Sequence, residues 1–366
     1  MSKDRKLILI FKQLKKKVKE VIFNVVQSNV KGGVEEVFTS YSKILHNSNF
    51  KIICLTPQNF PYNDILTKEG IDRININIKG HYDIFATIKL FKLIKKYQPK
   101  LIIGHNGRVF SILNILKKIF KVKTKILAVN HSGKSKRLLD FDYIIGIAKH
   151  ITQNIKKEGF KGEIKTIYNA IKVKKFKRIK KTNKIFTFGV LSRLSPEKNI
   201  ELILESFSEF LNKVNSNSKL IIAGEGEEKE KLQNITNKLK IADKVEFIGW
   251  VDDKNKQDFF NKINVFLQAS TQETFGISII ESFNYYCPVI SSKAKGPIEI
   301  IRHNKTGFLF DVTKKDSLFL EMNKIYKKQD KLEIITKNAN QDLVEKFSFE
   351  TMANSLTKFV KSCISH

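Results

Sequence analysis

No apolar run in the sequence approaches the roughly 18 to 20 residues that a bilayer-spanning helix requires; the longest are short stretches such as Leu7 to Phe11. No short basic segment leads into a cleavable signal core either, so the chain is expected to be cytoplasmic. Cysteine is scarce and odd in number: Cys54, Cys287 and Cys363 lie far apart. That pattern fits neither a disulfide framework nor a paired metal knuckle, and each is expected to be a small buried side chain. Tryptophan occurs once and proline six times, yet 42% of the residues are hydrophobic and 28% charged. Such a balance buries a core and excludes a disordered or collagenous chain. With 366 residues, two domains are favoured over one or three.

Acidic residues are few beside basic ones. Lys and Arg number 67 against 36 Asp and Glu, a net charge of +31, which draws a chain toward nucleic acid, phosphorylated small molecules or acidic lipid. The abundance of Lys, Asn, Ile and Phe is a skew that genome base composition alone produces, so the size of the charge counts for less than its placement. One cluster comprises Lys3, Arg5, Lys6, Lys12, Lys15, Lys16, Lys17 and Lys19, around an apolar stripe of Leu7, Ile8, Phe11, Leu14 and Val18. It reads equally as a helix lying on an anionic membrane surface and as a solvated helix docked on its own domain. The second cluster, Lys172 to Lys181, reads as a linker, because no aromatic stacking series accompanies it; nucleic acid is not an expected partner.

From Glu20 onward short β-rich runs alternate with amphipathic helical stretches, the pattern of parallel sheets covered by helices. Expected strands are 20–27, 51–55, 72–77, 100–104, 125–129, 143–147 and 164–167, with helices at 33–47, 82–97, 107–120 and 149–158. The alternation restarts with strand 184–190, helix 199–214, strand 219–223, helix 227–239, strands 244–248 and 264–267, helix 277–286 and strand 288–291. The fold class is therefore α/β, with two Rossmann-like, doubly wound parallel-sheet domains facing a cleft. The boundaries are 1–175 and 176–347, and a last helix, 348–366, is free to pack back on the first domain.

Three loops carry chemistry. Gly32 and Gly33 follow the first strand and open a helix, so backbone amides there can approach an anion; such a pair is as often plain turn punctuation. In the stretch Gly189 to Asn199, Arg193 and Lys198 lie at a strand's carboxyl end, beside a helix start marked by Pro196. A guanidinium fork and a mobile ammonium at that place suit a diphosphate. Between Ser270 and Ser282, Glu273 sits in a loop and Glu281 on the following helix, with Phe275, Gly276 and Ile277 at the junction. Amides at such a helix start can hold phosphate or sugar oxygens, and a carboxylate one turn further in can accept from vicinal hydroxyls.

These motifs, together with the stretches Leu220 to Gly226, Val245 to Val251 and Asn304 to Phe310, occur in an order and spacing that resembles the retaining glycosyltransferases of the two-Rossmann-domain (GT-B) architecture, family 4 (glycosyl transferases group 1). The likeness is strongest from Phe186 to Phe310 and covers nearly the whole chain: Asn24 to Glu35 resembles the family's first loop, and Tyr168 to Ile171 its pre-linker segment, with Ala170 where glycine is usual. The resemblance implies transfer of a sugar from a nucleotide-diphosphate donor to a hydroxyl of a glycan or lipid-linked acceptor, with the anomeric configuration kept. It implies a place in surface polysaccharide or lipopolysaccharide biosynthesis, on the cytosolic face of a membrane. Arg193 and Lys198 would bind the diphosphate, Glu281 the ribose and Glu273 the donor sugar, with amides from Phe275, Gly276 and Ile277. Gly32 and Gly33 would also meet the donor, and backbone around Phe247 and Gly249 would border the nucleobase.

His131 follows the strand 125–129, where the family often places a histidine near the reacting centre, and His105 follows the preceding strand and could line the acceptor side. Asp140 and Asp142 have the spelling of a metal-binding pair, but the second aspartate directly precedes an expected strand. The residues offer no convergent oxygen set, and cations replace the metal; no metal or cofactor is expected. Three other readings stand beside this one: a nucleic-acid-binding protein, a catalytically silent sugar-nucleotide binder, and an epimerase of sugar nucleotides on the same fold.

Overall fold

The computed structural model describes residues 19–134, 136–174 and 185–365. The apolar stripe of residues 1–18, and most of the second basic cluster, lie outside the described residues. Two compact units emerge. The first holds the described residues up to Gly146, then Ile151–Thr166 and the chain from Ala353; the second holds Ile147–His150 and Ile167–Met352.

The first unit is built on seven parallel strands: β1 (Val21–Val25), β2 (Lys51–Thr56), β3 (Asp72–Asn75), β4 (Leu101–Gly104), β5 (Lys125–Asn130), β6 (Tyr143–Gly146) and β7 (Glu163–Thr166), in the order β3-β2-β1-β4-β5-β6-β7. All neighbours pair in parallel, so each connection must cross back over the sheet. The inner strands are mostly apolar, as the four buried residues Leu101–Gly104 illustrate, because helices cover a sheet of this kind on both faces. Helix Gly33–Asn47 buries Val37, Phe38, Tyr41, Ile44 and Leu45, the spacing of a single helical stripe. The last helix, Phe349–Ser365, ends on this unit: Leu356, Phe359, Val360 and Cys363 are buried, and Tyr143 donates to the carbonyl of Cys363 at 3.2 Å.

The second unit has six parallel strands: β8 (Thr187–Leu191), β9 (Lys219–Ala223), β10 (Val245–Gly249), β11 (Val265–Gln268), β12 (Val289–Ser292) and β13 (Phe308–Phe310), ordered β10-β9-β8-β11-β12-β13. Its core is rich in phenylalanine. The Phe188 ring meets Phe186, Phe207 and Phe210 edge-on at 5.2, 6.1 and 5.1 Å, the geometry that aromatic quadrupoles favour.

The expected fold class therefore agrees with the architecture, two parallel α/β units. Several elements differ in extent. The strand expected at 20–27 stops at Val25, and the helix expected from residue 82 starts at Ile84, because Asp83 caps it by accepting from the Ala86 amide. Helices Asn63–Lys68, Lys256–Lys262, Pro297–Ile300, Ser317–Lys327 and Leu332–Lys346, and strand β13, were not among the expected elements. Cys54, Cys287 and Cys363 are free and buried, as expected.

Phe188 is wholly buried at the centre of the second core. Phe188→Ala is expected to cost about 3–5 kcal/mol, read as a lowered thermal or urea midpoint of the second unit.

Candidate functional site

In both sheets the chain first winds toward one edge and then reverses. The reversal falls between β1 and β4 in the first unit and between β8 and β11 in the second, and at such points loops from adjacent strands part and leave room for a ligand. The sequence motifs lie on these loops.

In the second unit, Arg193 and Lys198 follow β8 and Glu273 follows β11. Lys198 Nζ lies 2.8 Å from Glu273 Oε2, both side chains mostly buried, so one ion pair ties the two loops across the switch point. The Thr271 amide reinforces it by donating to the carbonyl of Glu197 at 2.9 Å. Arg193 reaches outward, 67% exposed and 3.6 Å from Glu197. Glu197 is held below the ordinary carboxylate range, chiefly by the hydrogen bond from Ser195, with Arg193 and Lys198 adding to it; its carboxylate thus stays ionised beside the two cations.

The loop after β9 fixes the Arg193 loop from the other side. Leu194 N donates to Glu225 O at 2.9 Å, and Glu228 N to Leu194 O at 3.1 Å. Contact is so close that a Cβ on Gly224, which has φ +143°, would stand 1.8 Å from the Ser192 carbonyl oxygen. Only glycine fits.

Gly276, at φ +108°, turns the chain from the Glu273 loop into helix Ile277–Asn284, whose first amides receive no side-chain cap. The Phe275 side chain is buried and anchors the junction against Tyr168 and Phe347, at 5.9 and 5.8 Å, while its amide faces Glu273 Oε1 at 3.4 Å. One turn into the helix, Glu281 accepts from Lys256 Nζ at 2.6 Å, and Lys256 also pairs with Asp253 at 2.6 Å. Burial opposes the charge on Lys256, but Glu281 and Asp253 outweigh it and the ammonium is held protonated. Phe247 packs on the core, and Trp250, next to Gly249, is exposed.

Sequence reasoning missed Lys256. It stands 25 residues from Glu281 on a helix too short to read, and only the sheet topology brings the two together. It also missed Gln268, which donates to Glu273 Oε2 at 3.4 Å and accepts from Ser291 at 3.0 Å.

In the first unit, His105 follows β4 and His131 follows β5. His105 is 1% exposed, and its contacts are with neighbouring side chains. Its Nε2 lies 2.8 Å from Asn24 Oδ1 and its Nδ1 3.4 Å from His131 Nε2. The Asn24 amide nitrogen donates to the Phe38 carbonyl at 3.2 Å, which fixes the amide and leaves Oδ1 as an acceptor. His105 must then carry its proton on Nε2, and its bare Nδ1 must accept from His131 Nε2. His131 is left with Nδ1 as its basic nitrogen. Burial pushes the His131 pKa down to about 4, and burial with the neighbouring His131 pushes that of His105 well below the ordinary value. A neutral, tautomer-fixed imidazole orients a partner better than it collects protons at pH 7.

Gly32 is extended, at φ −174°, a conformation open to any residue; what limits it is Glu35 Oε2, 3.0 Å from where a Cβ would stand. Gly33 opens the helix. Asp140 and Asp142 hold Lys118 and Lys117 at 2.6 and 2.8 Å, and Asp142 also accepts from the Ile126 amide at 2.8 Å, so the Asp-x-Asp spelling marks a strand start fixed by its own side chain. Among the described residues no helix is long and apolar enough to cross a membrane.

The two all-parallel units define a class, the two-domain α/β architecture of GT-B glycosyltransferases. Residues 171–342, all within the second unit, match the family model "Glycosyl transferases group 1". Two uncharacterized glycosyltransferases of Methanocaldococcus jannaschii are 28% and 29% identical over 47% and 59% of this chain; the matched regions span 43% and 61% of those relatives. The lipopolysaccharide core biosynthesis glycosyltransferase LpsE of Rhizobium meliloti is 22% identical over 76% of this chain and 81% of its own length. Among solved structures, a glycosyltransferase from Rickettsia africae superposes with a TM-score of 0.81 at 18% identity, covering 95% of this chain and 99% of that one. Anabaena HepE in complex with UDP-glucose superposes with 0.78 at 18% identity, covering 94% and 99%.

A histidine whose pKa falls on folding binds fewer protons in the native state, so its stabilisation is complete above pH 6.5 and is lost as the pH drops toward 4, by up to about 1.4 kcal/mol per pH unit. Denaturation midpoints are expected to be flat from pH 7 to 8 and to fall between pH 6.5 and 4. His131→Asn should make the fall shallower.

Proposed function

We propose that the protein is a retaining glycosyltransferase that moves a sugar from a nucleotide-diphosphate donor to a hydroxyl of a glycan or lipid-linked acceptor. The observation that carries this reading is the Lys198–Glu273 pair at the β8–β11 switch point, beside the open helix start at Gly276. Departure of a nucleoside diphosphate accumulates negative charge on phosphate oxygens. Arg193 and Lys198 stand ready to meet it, and cations fixed in advance stabilise that charge more in the transition state than before it forms. An ammonium has three donors, so Lys198 can hold Glu273 and a phosphate oxygen together.

In this reading Glu273, kept in place by Lys198 and Gln268, accepts from donor-sugar hydroxyls, with amides from Phe275, Gly276 and Ile277 near the phosphates. Glu281 accepts from the ribose, and Lys256 positions its carboxylate. Backbone near Phe247 and Gly249 borders the base, and Gly32 and Gly33 are taken as further donor-binding backbone. His131 orients a hydroxyl through its neutral ring, with Asn24 and His105 setting its tautomer. The residues at hand neutralise the leaving group with side-chain cations, so the reaction is taken to run without a metal ion or other cofactor. Membership in family 4 and retention of configuration rest on motif order and spacing. Relatives named for lipopolysaccharide core and amylovoran biosynthesis support an acceptor in surface-glycan assembly, and hence work on the cytosolic face of a membrane.

Thermal-shift titration with UDP, GDP and ADP tests the donor assignment. A ligand at 100 times its Kd adds about 2.7 kcal/mol of stability, and one of the three is expected to do so; no shift with any, alongside tight and salt-sensitive binding of nucleic acid, would overturn the reading. With the preferred sugar nucleotide, Arg193→Ala combined with Lys198→Ala is expected to lower kcat by about 10²-fold or more, and full turnover in that variant would contradict the leaving-group role.

Glu281→Ala should weaken nucleotide binding by about tenfold or more. Lys256→Met should weaken it less, and should also lower the thermal midpoint of the free protein, because it takes the ammonium away from a largely buried carboxylate.

A further inference from the structure

Among the described residues the largest run of exposed apolar side chains falls on one short segment. Between residues 82 and 88, Tyr82, Ile84, Phe85 and Ile88 are 82%, 67%, 88% and 38% exposed. They form the loop and first turns of helix Ile84–Tyr97, whose opposite face, Ala86, Thr87, Leu90 and Ile94, is buried. Further along, the exposed positions of the same helix are lysines: Lys89, Lys92, Lys95 and Lys96. Lys79 precedes the patch. Asp83 is the only acid from residue 79 to 97, and its carboxylate is spent on the Ala86 and Lys79 amides, both at 2.9 Å. The result is an apolar tip with a basic collar.

The tip has a definite place in the first unit. The Ile78 amide donates to Gln27 Oε1 at 2.8 Å, and Asn106 donates to the carbonyl of Gln27 at 2.8 Å. His81 Nδ1 lies 3.0 Å from Ser111 Oγ. The segment leading into the tip therefore rests against the loops after β1 and β4, at the carboxyl edge of the sheet and at its switch point.

We propose that Tyr82, Ile84, Phe85 and Ile88 insert into the headgroup region of an anionic lipid bilayer, with the lysine collar bound to acidic lipid headgroups. The charge selects this occupant. A second copy of the chain would set five lysines against five lysines in a protein of net charge +31, and like charges at close range repel. Nucleic acid would suit the lysines and the rings, but isoleucine offers no face for base stacking. Branched aliphatic side chains beside a tyrosine and a phenylalanine, edged by lysine, fit the interface between acyl chains and headgroups. Because the patch adjoins the carboxyl-edge loops, docking would bring those loops to the depth at which the head of a lipid-linked acceptor is presented. In this the inference rests on the glycosyltransferase reading and narrows its acceptor to one held in a membrane.

The full chain is sedimented with vesicles of phosphatidylethanolamine and phosphatidylglycerol (7:3, on the order of physiological salt) and with vesicles of phosphatidylcholine alone. Binding is expected to the anionic vesicles and to be at least tenfold weaker to the neutral ones. Tyr82→Ser combined with Phe85→Ser, which leaves the charge unchanged, should lower partitioning to anionic vesicles at least tenfold while the nucleoside-diphosphate thermal shift stays as in the parent. Lys89→Glu combined with Lys92→Glu should lower binding and make what remains less sensitive to salt. Equal vesicle binding by the serine variant would overturn the proposal, because other basic segments would then account for the attachment. So would a dimer in vesicle-free sedimentation that dissociates in the serine variant, since the patch would then be a contact between copies. If vesicles bind as expected and no nucleotide shifts the midpoint, the donor reading fails while the membrane surface stands.

Discussion

The ion pair between Lys198 and Glu273 joins two loops that the order of strands alone would leave side by side and unconnected. Its energetics explain why it matters. Both side chains are largely withdrawn from water, so the attraction at 2.8 Å is offset by the cost of desolvating each ion, and a pair of that kind adds little stability over an apolar substitute. What it does supply is position. With Glu273 also receiving Gln268, and Gln268 receiving Ser291, the carboxylate is held from two directions before any ligand arrives. The same arrangement recurs one helical turn away, where Glu281 is held by Lys256. Two anchored carboxylates, each with its own ammonium, are arranged at a distance set by a single short helix.

That distance depends in turn on backbone that only glycine can form. Gly276 takes the left-handed turn into the helix, Gly224 lies against the Ser192 carbonyl, and a Cβ on Gly296 would meet Phe275 backbone at 2.5 Å. Close backbone contact is how loops, normally the most mobile parts of an α/β unit, come to hold charged groups with the precision of a strand. The aromatic contacts of Phe275 with Tyr168 and Phe347 complete the anchoring from below.

Most of this was legible in the sequence because the signals were local. Alternating β-rich and helical periods gave the two sheets, and Gly276 between two glutamates marked a loop entering a helix. Signals that depend on the fold were not legible. Lys256 belongs to the seven-residue helix Lys256–Lys262, too short for its periodicity to register, and it meets Glu281 only through the fold, in which the two helices precede and follow β11. His105 could be read from the sequence only as a histidine that follows a strand; the helix that supplies Phe38 and Tyr41 closes over it, and both rings meet it edge-on at 5.3 and 5.8 Å. Asn24, inside the first strand, gave no sequence sign that it sets the protonation of two histidines. Helix Ser317–Lys327 could have been read, since Leu318, Phe319, Met322 and Ile325 follow the helical spacing and are buried.

The large positive charge is best understood by asking which cations are immobilised. Lys213 and Lys337 pair with glutamates one turn away while remaining 64% and 63% exposed; such pairs are worth little and are screened by salt. They contribute a field, not a site. Lys198 and Lys256, at 19% and 21%, are few but fixed, and the screening that weakens surface pairs reaches them less. A field of many mobile charges raises the local concentration of any anion, nucleotide or lipid alike, and cannot choose among them. Choice has to come from elsewhere: on the second unit from the few ammonium groups locked to carboxylates, and on the first from the apolar tip itself, which a soluble anion has no means to cover.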